Sequence, residues 1–428
     1  MSLRIYFCLI ILFSIFIPSL FAQDSLSWQD CIREAKKNNP ELIYAFEGVN
    51  QKEAAKGISA SGLYPQVDAS FNASTARTKT TNSSGLTTKA TKDSYSYGLS
   101  ATQLVFDGFK TVDNLKEAAE NIKSARENYR FASSSVRLGL RSGFVGLLKA
   151  QELVTVIEEI LKIRRDNLEL ITLRYYSGLE HRGALLTAEA NLMQAQADLA
   201  SAKRDMQFAQ INLSRQMGRA EFKPFKVTGD FSVTENTDTP PDFQGILKKH
   251  PSVLEAQSQV NAASFNLRST YSQFYPQVSA TAGANRSGEH LPAKDKVWEL
   301  GLGIDLPIFE GGLRSAQVAQ AKALYNQAQA NQRSVSDQAF VNLQQAWVNL
   351  LDALDTVNVK LKLLNASLER SKIAEAQYST GFIGFNDWII IQNDLVSAKK
   401  SYLQAQADAL SSQASWVNAK GETLEYAQ

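Results

Sequence analysis

Tyr64-Pro65-Gln66-Val67-Asp68-Ala69-Ser70-Phe71-Asn72-Ala73 alternates strictly: Val67, Ala69, Phe71 and Ala73 are apolar, and the residues between them are polar. Period 2 predicts a strand with one apolar and one polar face. The same opening returns as Tyr275-Pro276-Gln277-Val278, with Ala280, Ala282 and Ala284 alternating against Ser279, Thr281 and Asn285. Two further runs alternate: Tyr95, Tyr97, Leu99 and Ala101, and Trp298, Leu300, Leu302, Ile304 and Leu306. Polar loops are expected to join each pair, over 78–93 and 287–295. Gly98, Phe106, Gly108, Tyr175, Gly178 and Gly218 also recur, as Gly301, Phe309, Gly311, Tyr378, Gly381 and Gly421. The offset is about 211 positions at Tyr64 and about 203 from Gly98 onward, far longer than a solenoid period. The chain is therefore written twice, and the copies differ by about 8 residues of loop between Pro65 and Gly98.

Between the strands lie stretches without proline, over 66–223 and 308–428. A proline inside a helix costs about 3 kcal/mol, and both stretches are rich in Ala, Leu, Gln, Glu, Lys and Arg. They predict pairs of very long helices. A helix from 108 to about 174 would be about 100 Å long at about 1.5 Å per residue, too long for one compact core. Leu185, Ala188, Leu192, Ala195, Leu199, Ala202, Met206, Ala209 and Leu213 step by 3 and 4, a coiled-coil seam. Its second copy runs Trp388, Ile391, Leu395, Ala398, Tyr402, Ala405, Ala409, Ser412 and Trp416. Gly139, Gly143 and Gly146 share a helix face and suggest a close helix contact. Matching leader helices are expected over 23–50 and 241–261. Lys226-Val227-Thr228-Gly229-Asp230 reads as a short strand in the linker.

Arg4, the apolar run 5–17, Pro18 and a cut after Ala22 read as a secretory signal. Its removal would leave Cys31 as the lone thiol, so packing rather than disulfides must hold an exported chain. Net charge is +2 with both signs dispersed, and no basic block points to nucleic acid. Without a second long apolar run, entry into a membrane would have to use a barrel. Four strands cannot close one, since membrane barrels need at least about 8. Several chains contributing strands to one barrel would satisfy the edges, with lipid outside and water inside. The lipid side would then carry Val67, Ala69, Phe71, Trp298, Leu300 and Leu302.

The order of these parts resembles the outer-membrane efflux family, the TolC-like channels. The resemblance rests on the opening Leu26-Ser27-Trp28-Gln29-Asp30-Cys31-Ile32 with Asn38-Asn39-Pro40-Glu41-Leu42, and on Tyr-Pro-Gln-Val before each first strand. It also rests on the exits Leu104-Val105-Phe106-Asp107-Gly108 and Leu306-Pro307-Ile308-Phe309-Glu310-Gly311. The turns Arg174-Tyr175-Tyr176-Ser177-Gly178-Leu179 and Gln377-Tyr378-Ser379-Thr380-Gly381-Phe382 complete it. The resemblance implies a mainly α fold with a β-barrel contribution. Duplicated long antiparallel helices would form an α-helical barrel, and a homotrimer would share a twelve-stranded membrane barrel. It implies a passive exit duct of a tripartite efflux or type I secretion system, in the outer membrane and extending into the periplasm. The partners would be a periplasmic adaptor (membrane fusion protein), an inner-membrane transporter and outer-membrane lipid. The division would be signal 1–22, first repeat 23–218 with its hairpin at about 65–106 and helix pair at about 108–218, and linker 219–241. The second repeat would span 242–428, with its hairpin at about 276–309 and helix pair at about 311–421.

By the same resemblance, Tyr378 and Asp387 fall where the family places a periplasmic gate. Gly178, Leu179, Gly381 and Phe382 fall at the adaptor-docking tip. Ile383 and Ile390 stand where an arginine tether and a second acid often occur, and Ala184 where another acid is common. Glu180, His181 and Arg182 could supply a different latch, or form an ordinary solvated loop. His181, His250 and His290 are too far apart in sequence for metal-ligand spacing. No phosphate loop or nucleophile elbow occurs, so neither a cofactor nor an enzymatic role is expected. The competing reading is a periplasmic coiled-coil adaptor or scaffold with soluble hairpins, which the duplicated helix–hairpin–helix order speaks against. A secreted structural protein would leave the strand alternation unexplained.

Overall fold

The computed structural model describes residues 25–233 and 239–426. The expected signal, 1–22, lies outside the described residues. The chain forms two compact units, one from 25–35, 142–232 and 360–407 and the other from 36–141, 233–359 and 408–426 among the described residues. The elements run β1 (Ser25–Leu26), α1 (Trp28–Asn38), α2 (Pro40–Ser61), β2 (Gln66–Thr81), β3 (Thr87–Phe106), α3 (Lys110–Tyr176) and α4 (Arg182–Met217). They continue β4 (Lys226–Val227), α5 (Phe243–Lys249), α6 (Pro251–Tyr271), β5 (Gln277–Gly288), β6 (Asp295–Asp305), α7 (Leu313–Ser379) and α8 (Phe385–Ala419). The two longest helices, α3 and α7, have 67 residues each. No helix among the described residues is long and apolar enough to cross a membrane.

The second unit holds a four-stranded antiparallel sheet in the order β2-β3-β5-β6. Its register puts Val67, Ala101, Ala282 and Leu300 in one cross-strand row, and Ala69, Leu99, Ala284 and Trp298 in the next. Residues directly opposite share a face, so the apolar sets of all four strands coincide. From the Ile304 row to the Phe71–Tyr97 row is 8 residues, about 27 Å along a strand. At the usual tilt of about 40° that is about 21 Å in height, comparable to the apolar band of about 25 Å on membrane barrels. This face is uncovered: Trp298 is 82% exposed and Leu300 80%.

Three expected boundaries are corrected here. The loop predicted over 78–93 is mostly strand, because pairing continues through Thr75–Asp93 and Lys79–Lys89 to Thr81–Thr87. Threonine favours strands through its β-branch, and the Thr81 and Thr87 hydroxyls bond at 3.0 Å. Only 82–86 turn, with Gly85 at φ 78°. The first leader is not one helix ending near 50. It breaks at Asn39, whose side chain accepts from the Glu41 and Leu42 amides, and α2 continues to Ser61 because no breaker intervenes. The second leader breaks likewise at His250-Pro251, and α6 runs to Tyr271 rather than 261. Proline fits the first turn of each new helix because it lacks an N–H there.

In the first unit, β1 pairs in parallel with β4, a partner the sequence reading did not supply for the linker strand. Gln151 clamps β4 through both Val227 backbone groups at 2.9 Å, and Arg219 grips Glu34 with two bonds of 2.6 and 2.8 Å. Cys31 is fully buried, and burial pushes its thiol up to about 12. Of the expected glycine face, Gly143 does approach Leu213 closely, whereas Gly146 faces open space. Along α4 the small residues Ala184, Ala188, Ala195 and Ala202 are buried, so the helix packs on its alanine row with leucines alongside.

The register sets up a test of strand facing. Arg at Leu300, on edge strand β6 and midway along the apolar band, is expected to weaken insertion into lipid by about 2–4 kcal/mol. A Cβ at Gly301 would meet Thr281 Oγ1 at 2.9 Å, so Gly303, with its nearest neighbour at 3.5 Å, is the better control on the opposite face. Folding yield into vesicles should fall for Leu300→Arg and change much less for Gly303→Arg. Equal losses would mean the facing is reversed or irrelevant.

Candidate functional site

The two helix-to-helix turns of the first unit share one construction. After α3, Gly178 sits at φ 74°, its amide donating to Tyr175 O, while the Leu179 amide donates to Arg174 O at 2.8 Å. After α7, Gly381 sits at φ 80°, its amide donating to Tyr378 O, and the Phe382 amide reaches Gln377 O at 2.8 Å. This paired bonding closes a helix with a left-handed residue, which glycine adopts without strain. A Cβ at either glycine would meet nothing within 4 Å. Leu179 and Phe382 follow in each turn and are 65% and 84% exposed.

Beneath the turns, Ile171 of α3, Ala184 and Ala188 of α4, Ala374 and Tyr378 of α7, and Phe385 and Trp388 of α8 form one buried cluster. The small alanines let the four helices approach, and the large rings fill the space between them. Tyr378, only 2% exposed, stacks on Trp388 at 4.5 Å with planes 7° apart. The Arg174 guanidinium lies 4.7 Å from the Tyr378 ring centroid and donates to the Tyr378 carbonyl at 3.4 Å. Stacking and cation–π contact are each worth about 0.5–2 kcal/mol beyond burial.

The Tyr378 hydroxyl donates to Glu180 Oε2 at 3.0 Å. Burial pushes the phenol above its ordinary range, Glu180 adds to the rise, and Arg174 partly offsets it. The hydroxyl therefore stays protonated as the donor. A bond to a charged acceptor contributes about 1.5–3 kcal/mol. First-turn residues Arg174 and Glu180 thus hold second-turn residue Tyr378 from its face and its hydroxyl.

The remaining predicted residues separate. His181 caps α4, its Nδ1 accepting from the Ala184 amide at 3.1 Å. Arg182 is exposed and makes no side-chain bond or ion pair within the described residues. Asp387 is exposed in the first turn of α8, where its charge favours the helix dipole, and it does not bond Tyr378. Ile383 packs against the buried cluster, while Ile390 is 55% exposed. Sequence reasoning missed Arg174 and Trp388 as partners of Tyr378. The available signal was a difference between copies, because Arg174 corresponds to Gln377 at the same offset.

Lower on the same helices, Lys399 pairs with Glu159, Lys400 with Asp198 and Arg370 with Asp394. These pairs are partly or well exposed, so each is worth about 1 kcal/mol or less. Buried Arg164 donates to Asn393 at 2.5 Å, and desolvation lowers the guanidinium from its usual range.

The outer membrane efflux protein family model matches residues 31–219 and 243–422. The outer membrane efflux protein BepC of Brucella suis is 24% identical over 400 residues, covering 91% of this chain and 84% of that protein. The cation efflux system protein CusC of Escherichia coli K12 is 23% identical over 383 residues, covering 87% and 81%. The open-state outer membrane channel MtrE of Neisseria gonorrhoeae superposes with a TM-score of 0.80 at 20% identity, covering 92% of this chain and 89% of that one. The chain belongs to the outer membrane efflux protein family, and its fold is that of the TolC-like channels.

The Tyr378 geometry generates a graded prediction. Tyr378→Phe keeps the stack and loses the bond to Glu180, so amide exchange over 377–388 should quicken by about 10-fold. Tyr378→Ala also loses the stack and should quicken it by about 100-fold or more. Exchange unchanged by both variants would show that the cluster does not hold the turns.

Proposed function

We propose that three copies of this chain assemble into one outer-membrane exit duct, each contributing four strands to a twelve-stranded barrel and four long helices to a periplasmic tube. The observation that carries this is the sheet with two free edges, β2 and β6, and an uncovered apolar face. Open edges do not persist in lipid. Every neighbouring pair in the sheet is antiparallel and the strand number is even, so β6 of one copy can meet β2 of the next and keep the alternation. Val67, Ala69, Phe71, Trp298, Leu300 and Leu302 would face lipid. Soluble hairpins of an adaptor would not leave that row bare.

The duct is passive, without cofactor or catalysis, and its cargo is set by the inner-membrane transporter it serves. A periplasmic adaptor would dock on the two turns, with Gly178 and Gly381 giving the reversals and Leu179 and Phe382 the apolar contacts. Tyr378 and Asp387 would act in the gate, Tyr378 by tying the two turns of one copy through Glu180 and Arg174, and Asp387 by meeting an adjacent helix in the assembly. The division into a signal at 1–22, repeats at 23–218 and 242–428 and a linker at 219–241 fits this scheme. The two family-matched segments support it, since they bracket the same linker.

Native mass measurement in mild detergent should give three copies. A stable monomer inserted in lipid would overturn the assembly.

The docking and gate roles separate by variant. Gly178→Trp and Gly381→Trp should abolish export while assembly and outer-membrane insertion persist, because the added side chains meet no neighbour within 4 Å and the strain of a side chain at φ 74° and 80° falls on the turns themselves. Normal export would remove the docking role from the turns. Asp387→Ala should raise leak conductance in planar bilayers. Unchanged conductance in both Asp387→Ala and Tyr378→Ala would end the gate assignment.

A further inference from the structure

The register of the sheet sorts charge as well as polarity. On the face that carries Val67, Leu99 and Leu300, the strands hold Arg77, Lys79, Lys89, Arg286 and Lys296, with Asp93 the one acid among the described strand residues. On the opposite face they hold Asp68, Asp295, Glu299 and Asp305, and Lys92, which pairs with Glu289 at 3.0 Å. The two faces therefore bear opposite signs.

One pair stands out. Arg286 and Lys296 lie directly opposite each other on adjacent strands, both exposed. Like charges so placed repel, and neither has an ion-pair partner among the described residues. Tyr97 is directly opposite Arg286, and Phe71 opposite Tyr97. This row adjoins the Ala69, Leu99, Ala284 and Trp298 row, at the hairpin-turn end of the apolar band. Lys79 and Lys89 form a second opposed pair, but about 27 Å further along the strand, past a headgroup layer.

Aromatic rings mark the border between acyl chains and headgroups on membrane barrels. Two cations in the same row as Phe71 and Tyr97, at that border and turned outward, would meet the headgroup phosphates. A phosphate oxygen set between them would relieve their repulsion, with the guanidinium supplying a bidentate fork. We propose that Arg286 and Lys296, with Tyr97 beside them, bind the phosphate groups of outer-leaflet glycolipid. The inference rests on the outer-membrane reading and adds a specific lipid contact to it.

The test uses the full-length protein reconstituted in zwitterionic phospholipid vesicles doped with phosphorylated lipid A or with lipid A stripped of its phosphates. Flotation reports insertion, and native mass spectrometry of the released protein counts retained glycolipid. The wild type should retain the phosphorylated form, and the stripped form about 10-fold less. Arg286→Gln with Lys296→Gln should abolish that preference, Arg286→Lys should restore part of it, and Lys89→Gln should leave it intact. Inorganic phosphate at millimolar concentration should not displace the lipid. Equal retention of both glycolipids by wild type, an unaltered preference in the double variant, or displacement by inorganic phosphate would overturn the proposal. Wild type that fails to float would instead sink the outer-membrane reading.

Discussion

The rest of this molecule depends on where the backbone groups at the two free edges of the sheet find partners. Each unpaired N–H or C=O in hydrocarbon costs several kcal/mol. A sheet that is apolar on one face, polar on the other and open at both ends has no stable home as a single chain. Pairing with further copies satisfies the edges and covers neither face, which suits lipid outside and water inside. The even, wholly antiparallel strand count makes that closure possible without a change of direction. The duplicated hairpin follows naturally, since a second copy of the unit supplies the second antiparallel pair.

The helices answer a different requirement. Their hydrogen bonds are internal, so their interfaces need only packing, and alanine rows on α4 provide close approach. Reversal of direction falls to glycines at positive φ, and four of them (Gly178, Gly218, Gly381 and Gly421) end long helices with related backbone bonds. Within the turn cluster the copies have diverged. The first turn contributes charge, Arg174 and Glu180, and the second contributes rings, Tyr378 and Trp388. Duplication made two similar turns, and divergence made them complementary.

Which residues share a strand face was legible in the sequence because period 2 is imposed directly by the pleat, and the register aligned the apolar sets of all four strands. Long helices were legible because proline is absent over 66–223 and 308–428. The 78–93 segment was misread because Thr, Ser, Lys and Gly signal a loop in composition, while threonine pairs well once the neighbouring strand is in register. The β1–β4 pair was hidden because two residues carry no periodicity. The contact of Arg174 with the Tyr378 ring was hidden because the two lie far apart along the chain, and only the difference between Arg174 and Gln377 in the two copies marked it. Trp388 read as a bulky seam residue, which it is, and its ring partner could come only from packing.

Edge closure is tested most directly by cysteine cross-linking between β2 and β6. One cysteine placed at Leu300, scanned against single cysteines along 66–73, asks whether the two edges of different copies meet; native Cys31 is fully buried and should not compete. Edge closure predicts cross-linked species of two and three chains in membranes, strongest at one register and its period-2 neighbours. Cross-links confined within a single chain, or none at any register, would contradict it.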